Sequence, residues 1–228
     1  MAKVLILSGA GLSAPSGLKT FRGNGGLWEN YDIMEVCSVQ GYIKNPKLVH
    51  KFYDERRAQL KKVLPNKAHF CIAKIKEKFG NEICVMTQNI DDLLERANCK
   101  DVIHLHGFLP NLRCKSCGKT FYVGYESQEN KICPFCKSAK IRHDVVMFGE
   151  IAPNYSLLYN ELSKANLFIA IGTSGEVLDV GKFAKIVGNS ILNNYEKSFM
   201  DFYFDKVYLE SCETALPKIC KDIENFLV

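Results

Sequence analysis

An α/β fold on a doubly wound parallel sheet is predicted by three observations. Short Val/Ile/Leu runs recur along the chain, helical periodicity lies between several of them, and a glycine-rich turn follows the first directly. The runs are VLILS from Val4, ICVMT from Ile83, VIHLH from Val102, VVMF from Val145, LFIAI from Leu167 and SILN from Ser190. They are apolar throughout rather than alternating, as strands buried on both faces are. Helical stretches are expected at 68–79, 90–97 and 155–165. A closing helix is expected at 214–227, where Leu216, Ile219, Ile223 and Phe226 share a face.

Two segments break the alternation and read as insertions into one core formed by 1–23, 67–106 and 144–228. The first, 24–66, starts glycine-rich and turns helical; the second, 107–143, is turn-rich and holds paired cysteines. A length of 228 residues suits one large domain with such insertions, and an apolar fraction of 47% with 24% charged residues excludes the disordered and fibrous classes. The apolar N-terminal run is too short for a signal peptide or a membrane span, so a cytoplasmic protein is expected. The net charge of +5 is modest and requires no nucleic acid.

After VLILS comes Gly9-Ala10-Gly11-Leu12-Ser13-Ala14, which fits the strand, G-x-G-x-x-A, helix pattern of a Rossmann-like dinucleotide site. A tight strand-to-helix turn without ligand is the other reading. No acid ends a second strand about twenty residues on, so a dinucleotide here is held in an unusual way.

Cys114-x-x-Cys117 and Cys133-x-x-Cys136 match two knuckles supplying four thiolates to one tetrahedral zinc ion. Gly118 and Pro134 suit the turns of such a zinc ribbon. Disulfides are the alternative, disfavoured in a reducing compartment, where the other six cysteines also read as free thiols. Four thiolates close the coordination sphere, so the zinc is expected to be structural.

Polar residues then gather at strand ends, where α/β sheets bind ligands. Gln88-Asn89-Ile90-Asp91 follows the second run, His104 and His106 follow on one face of the third, and Gly172-Thr173-Ser174-Gly175 follows LFIAI. Imidazole is the commonest general base near neutral pH, although a lone histidine is more often a hydrogen-bonded structural residue. A helix is expected at 46–63, with Val49, Tyr53, Leu60 and Val63 on one face and Arg56 in the same stripe. A guanidinium there snorkels, pairs with an internal acid, or meets an anionic ligand jointly with Tyr53.

Taken together, Gly9-Ala10-Gly11-Leu12-Ser13, Thr20-Phe21-Arg22, Gln88-Asn89-Ile90-Asp91, His106-Gly107, the four cysteines, Phe148-Gly149-Glu150 and Gly172-Thr173-Ser174 resemble the sirtuins in type and order, over nearly the whole chain. The resemblance implies an NAD-dependent protein-lysine deacylase that releases nicotinamide and O-acyl-ADP-ribose. By resemblance, NAD is held by Gly9, Ala10, Gly11, Ser13, Thr20, Phe21, Arg22 and Trp28, with Gln88, Asn89, Ile90 and Asp91 around the nicotinamide. Gly172, Thr173, Ser174, Asn193 and Cys212 match the adenosine half. The acyl oxygen attacks the ribose carbon as nicotinamide leaves, Asn89 and His106 being catalytic and His106 the base for the ribose hydroxyls. Val146, Phe148, Gly149 and Glu150 on one side, and Gly175, Glu176 and Val177 on the other, would sandwich the substrate peptide as an added strand.

Tyr53 and Arg56 resemble the pair of the sirtuin class that removes malonyl, succinyl or glutaryl groups, and Thr20 points the same way. The partners implied are acylated lysine side chains of proteins, with neither membrane nor nucleic acid required, and the protein is expected as a monomer. Departures from the family pattern are Leu94 and Asn98 where His and Gly are usual, Met147 for Trp, His143 for Pro, and Leu178-Asp179 before an expected proline. Two competing readings keep the same residues: ADP-ribosyl transfer or NAD hydrolysis at the same cleft, and a zinc-knuckle nucleic-acid module. The second has few basic residues between its cysteine pairs to support it.

Overall fold

The computed structural model describes residues 3–19, the backbone of 27–28, and 31–228. In chain order the strands are β1 (Val4–Ser8), β2 (Leu27–Trp28), β3 (Tyr31–Asp32), β4 (Ile83–Thr87), β5 (Ile103–His104), β6 (Gly107–Cys114), β7 (Thr120–Tyr122), β8 (Ile141–Val145), β9 (Leu167–Ile171), β10 (Ser190–Asn194) and β11 (Lys206–Leu209). The α-helices are α1 (Ile33–Val36), α2 (Val39–Lys44), α3 (Pro46–Leu60), α4 (Lys67–Phe79), α5 (Leu93–Arg96), α6 (Tyr155–Leu162), α7 (Val180–Val187) and α8 (Cys212–Leu227).

Six strands form one parallel sheet in the order β11-β10-β9-β1-β4-β5. Its centre is β1, where Val4, Leu5, Ile6 and Leu7 are all fully buried. Strand periodicity sends Val4 and Ile6 into a core shared with α4 and α8, and Leu5 and Leu7 into one shared with α6 and α7. Burying each such side chain stabilises by roughly 1.5–3 kcal/mol. The sheet is therefore covered on both faces, as the unbroken apolar runs require. From β1 the chain builds toward β4 and β5, then returns to add β9, β10 and β11 on the other side. The strand order thus reverses beside β1, which opens a crevice at the carboxyl ends of β1 and β9.

One expected strand lies elsewhere, and one strand of the sheet escapes the sequence pattern. The VVMF run is not a strand of this sheet: Ile141–Val145 pairs antiparallel with β6 in a separate three-stranded sheet, β7-β6-β8. Val146 instead donates its N–H to the His106 carbonyl (2.9 Å), and the run leaves as a strap bridged to Ser38. The edge strand β11, sequence KVYL, escapes the apolar pattern because an edge strand has only one neighbour and keeps polar side chains.

The helical insertion supplies α1 to α3. Asp32, Ser38 and Asn45 cap them in turn, each accepting bonds from backbone N–H groups of the helix it precedes. The insertion is fastened to the three-stranded sheet by Arg57, a fully buried cation that the helical stripe does not reveal. Its guanidinium donates to the Leu109 carbonyl (3.0 Å), the Asp54 carboxylate (2.8 Å), the Glu126 carbonyl (3.0 Å) and His143 Nδ1 (2.8 Å). Burial and the adjacent guanidinium hold the His143 pKa well below the ordinary imidazole value, so the neutral ring accepts that bond. The histidine standing where proline is common thus has a partner that proline could not serve.

Other departures also have local reasons. Asn98 adopts φ of 65°, a left-handed position natural to glycine and tolerated by asparagine. Asp179 caps α7, accepting the Lys182 N–H at 3.0 Å. Leu94 and Met147 are buried. Among the described residues, no helix is long and apolar enough to cross a membrane.

Candidate active site

A cleft of about 790 Å³ opens at the carboxyl ends of β1, β4, β9 and β10. The glycine loop forms its floor, though not as a Rossmann turn leading into a long helix. Two 3₁₀ turns, Ala10–Leu12 and Ala14–Ser16, follow β1 instead. The loop is held by its neighbours: Gly11 N–H donates to the Gly172 carbonyl (2.9 Å), and Gly172 N–H to the Asn193 carbonyl (2.8 Å). A Cβ on Gly11 would stand 2.6 Å from Gly172 Cα, and Gly172 itself has φ of 61°. Both glycines are demanded by this crossing of backbones, before any ligand is considered. Gly11→Ala is expected to cost about 1–3 kcal/mol by overpacking. Thermal unfolding with and without NAD checks this, with a lower midpoint and a smaller NAD-induced rise expected.

Asn66 ties the loop down from the head of α4. Its side chain caps the helix and donates to the Leu12 carbonyl (2.8 Å) and Ser16 Oγ (3.0 Å). On the other side, Asn89 Nδ2 donates to the Gly9 carbonyl (3.0 Å) and Ser13 Oγ (3.1 Å), while Ser13 Oγ donates to Asp91 Oδ2 (2.9 Å). Burial raises the Asp91 pKa, against the lowering effect of bonds from the Leu93 N–H and Ser13. Gln88 Nε2 donates to Thr173 Oγ1 (3.0 Å), so the ends of β4 and β9 are joined side chain to side chain. The polar strand ends thus form one network with the glycine loop along the cleft wall.

The two histidines of the third run part company. His104 Nδ1 meets the Asn89 carbonyl (2.8 Å) and its Nε2 the Glu95 carboxylate (2.8 Å). Burial works to lower its pKa, but these acceptors outweigh it and the net shift is upward. His104 is therefore a structural group with both nitrogens occupied by acceptors. His106 lines the cleft, with Nδ1 3.1 Å from the Gln88 carbonyl and Nε2 2.9 Å from the Tyr155 hydroxyl. Burial lowers its pKa, partly offset by the Gln88 bond, which leaves it neutral at pH 7 and able to accept a proton.

Tyr53 and Arg56 of α3 reach the same cleft from below. Tyr53 is 1% exposed and Arg56 8% exposed. The Arg56 guanidinium lies 5.1 Å from the Phe52 ring centroid, with the Glu55 carboxylate 4.0 Å away. Val146, Phe148, Gly149 and Glu150 border the mouth on the strap, and Glu176 and Val177 face them across it. The strap is held in shape by Phe148 N–H donating to the Cys37 carbonyl (2.8 Å) and Met147 N–H to Glu150 Oε2 (2.8 Å). Gly175 is set back from the cleft, turning the chain there with φ of 79°.

Gly9, Ala10, Ile90, Ser174, Asn193 and Cys212 also line the cleft. Two of these face inward to the framework: Asn193 Nδ2 donates to the Tyr208 and Glu210 carbonyls, and the Cys212 thiol to the Leu12 carbonyl (3.5 Å). Thr20, Phe21, Arg22 and the Trp28 side chain lie outside the described residues. Lining residues that the sequence did not mark include Tyr155, Asn194 and Glu210. The last follows the unrecognised edge strand, and Tyr155 opens a helix remote in sequence from His106, so no local pattern announces either.

The four paired cysteines converge at the far end of the three-stranded sheet, with all four sulfurs within 4.8 Å of one another. Two of the separations are 3.6 Å (Cys114–Cys136) and 3.7 Å (Cys117–Cys133). A disulfide needs about 2.05 Å. Tetrahedral Zn–S bonds of about 2.3 Å place sulfurs roughly 3.8 Å apart, which these separations fit. Each knuckle closes alike: Gly118 N–H donates to the Cys114 carbonyl and Lys137 N–H to the Cys133 carbonyl, both at 2.9 Å and both residues at positive φ. The apolar cluster beneath is small, chiefly Leu112, Ile141 and the buried Cys114 and Cys133. So small a core needs a staple, and a structural zinc held by four thiolates supplies it.

A parallel-sheet cleft edged by glycines and a half-buried histidine, with a four-cysteine zinc module alongside, defines a dinucleotide-dependent enzyme class. Comparison with known proteins narrows it. Residues 9–179 match the Sir2 family. An NAD-dependent protein deacylase of Campylobacter jejuni is 60% identical over 228 residues, covering 100% of this chain and 98% of that protein. One of Helicobacter hepaticus is 40% identical over 254 residues, covering both chains fully at 100%. A solved Sir2 homologue in complex with NAD superposes with a TM-score of 0.85 at 34% identity, covering 100% of this chain and 91% of that one. The chain belongs to the Sir2 family.

Proposed function

We propose that this protein removes acyl groups from lysine side chains of proteins while consuming NAD, and that Tyr53 and Arg56 direct it toward acyl chains ending in a carboxylate. The observation that carries the reading is that a cation only 8% exposed opens into the same cleft as His106. The full-length likeness to relatives named NAD-dependent protein deacylases supports the reaction class. NAD supplies the ribose carbon that receives the acyl group and nicotinamide as the leaving group.

The chain's own residues divide the work. The glycine loop with Thr20, Phe21, Arg22 and Trp28 holds the pyrophosphate and nicotinamide ribose, and Gly172, Thr173, Ser174, Asn193 and Cys212 take the adenosine half. Gln88, Asn89, Ile90 and Asp91 shape the nicotinamide pocket, and His106 takes the ribose proton. The strap from Val146 to Glu150 and the turn from Gly175 to Val177 hold the peptide between them. The zinc keeps the module at 107–143 folded and takes no part in the chemistry. In this reading 1–23, 67–106 and 144–228 form the NAD-binding domain and 24–66 the cofactor loop and helical insertion, and the protein works as a cytoplasmic monomer.

A charge-assisted hydrogen bond is worth about 1.5–3 kcal/mol, or roughly ten- to a hundredfold in preference for an acidic acyl chain. NAD-dependent turnover of matched acetyl-, succinyl- and malonyl-lysine peptides tests this. Arg56→Met is expected to lower desuccinylation and demalonylation by that factor while deacetylation changes little. Equal losses on all three substrates would refute the acyl preference. O-acyl-ADP-ribose formed only with acylated peptide is the expected product; free or protein-bound ADP-ribose without peptide points to NAD hydrolysis or ADP-ribosyl transfer.

A further inference from the structure

Tyr155 is the first residue of α6 and reaches into the cleft beside His106. Its place is fixed from both sides. Asn154 Nδ2 donates to the His104 carbonyl at 2.8 Å, which pins the head of α6 to the end of β5. The tyrosine ring packs, half-buried, against the core formed with α6 and α7, and its centroid lies 5.9 Å from that of His106 at 59°. Its hydroxyl is 2.9 Å from His106 Nε2.

The direction of that bond follows from the other side of the imidazole. Nδ1 faces the Gln88 carbonyl, which can only accept, so Nδ1 carries the hydrogen. In the neutral ring the lone pair is then on Nε2, and the Tyr155 hydroxyl donates to it. Burial raises the Tyr155 pKa and lowers that of His106, which agrees with a phenol donating to a neutral imidazole. Neighbouring ionisable groups are engaged elsewhere. Asp91 accepts from Ser13 and the Leu93 N–H, and His104 meets Glu95 and the Asn89 carbonyl.

An imidazole nitrogen has one in-plane lone pair and accepts one good hydrogen bond. In the free protein Tyr155 holds it; a base that takes a proton from a sugar hydroxyl must offer it to that hydroxyl. We propose that Tyr155 is a positioning residue for His106: its hydroxyl keeps the Nε2 lone pair aimed into the cleft and yields that place to a ribose hydroxyl when NAD binds. The proton then passes from the ribose oxygen to Nε2, and Tyr155 keeps its own. This rests on the reading of His106 as the base.

Tyr155→Phe retains the ring and its packing and removes only the donor. The hydroxyl's bond exists only with unprotonated Nε2, so removing it should let His106 protonate at higher pH. Two measurements on the full-length protein test this: the NMR titration of the His106 Cε1–H signal without NAD, and the pH profile of kcat/KM for NAD with an acylated peptide. Both the titration and the acidic limb of the profile are expected to move to higher pH in Tyr155→Phe. At pH above that limb the loss in kcat should stay within about tenfold, the scale of one hydrogen bond. An unchanged His106 titration would show that Tyr155 only fills space and would overturn the proposal. A fall in kcat as deep as that of His106→Ala would overturn it too, by making Tyr155 a proton carrier. A shifted titration in a protein whose unaltered form turns over no acylated peptide would leave the contact standing and sink the deacylase reading instead.

Discussion

His106→Ala is expected to lower kcat for NAD-dependent deacylation by about 10²–10⁴-fold, the usual contribution of a positioned general base, with a much smaller change in NAD affinity. The expectation rests on geometry before pKa. His106 lies in the bend between β5 and β6, with its Nδ1 turned to the Gln88 carbonyl and its Nε2 turned into the cleft. The sign of the pH dependence follows. A base works unprotonated, and burial holds the His106 pKa below its ordinary value near 6.5. The rate should therefore be flat through neutral pH and fall only as pH drops through that lowered value. Steady-state rates measured from pH 5 to 9, with NAD binding measured separately by calorimetry, check both parts. A variant that retains most of its kcat would remove His106 from the chemistry. His104→Ala offers the contrast: its nitrogens hold Glu95 and the Asn89 carbonyl, so its loss should appear in thermal stability first.

Loss of the zinc is expected to unfold the cysteine knuckles and the three-stranded sheet β7-β6-β8 that carries them, and to abolish activity as a consequence of that unfolding. Structural sites of this kind bind with apparent free energies of about 10–16 kcal/mol near neutral pH, far beyond what a cluster of Leu112, Ile141 and two buried cysteines supplies. Cys133→Ser should yield a chain with less than one zinc ion per molecule by elemental analysis. Proteolysis should cut it between 115 and 140, and it should have lost turnover. A chelator should inactivate the unaltered protein slowly, at the rate of local opening, because the sphere of four thiolates leaves no position for an incoming ligand. Arg57 joins this module to α3, so damage there should also loosen the helix that carries Tyr53 and Arg56. Full turnover in a sample shown to be free of zinc would overturn the structural assignment.

Much of the fold was legible along the chain because its information is local. The runs from Val4, Ile83, Leu167 and Ser190 are apolar on both faces, and only a sheet covered on both sides buries them. The C-x-x-C pairs state their own chemistry, since thiolates at that spacing meet one metal. The VVMF run misled for the same local reason: four apolar residues suit a core strand or a buried strap equally, and the pairing partner decides between them.

By itself, then, the sequence determined the layered α/β sheet, the glycine loop at its first strand end, the zinc knuckles, and which polar types gather at strand ends. Only the tertiary structure separated His104 from His106, because both have the same residue type and the same periodic face and differ in the acceptors that distant segments bring to them. It alone made Gly11 and Gly172, 161 positions apart in the chain, mutual requirements where the two backbones cross. It also set Arg57 among carbonyls and Tyr155 against His106, contacts between elements whose local patterns carry no trace of each other. Periodicity records which face of an element is buried; it does not record which side chain from elsewhere will lie against it.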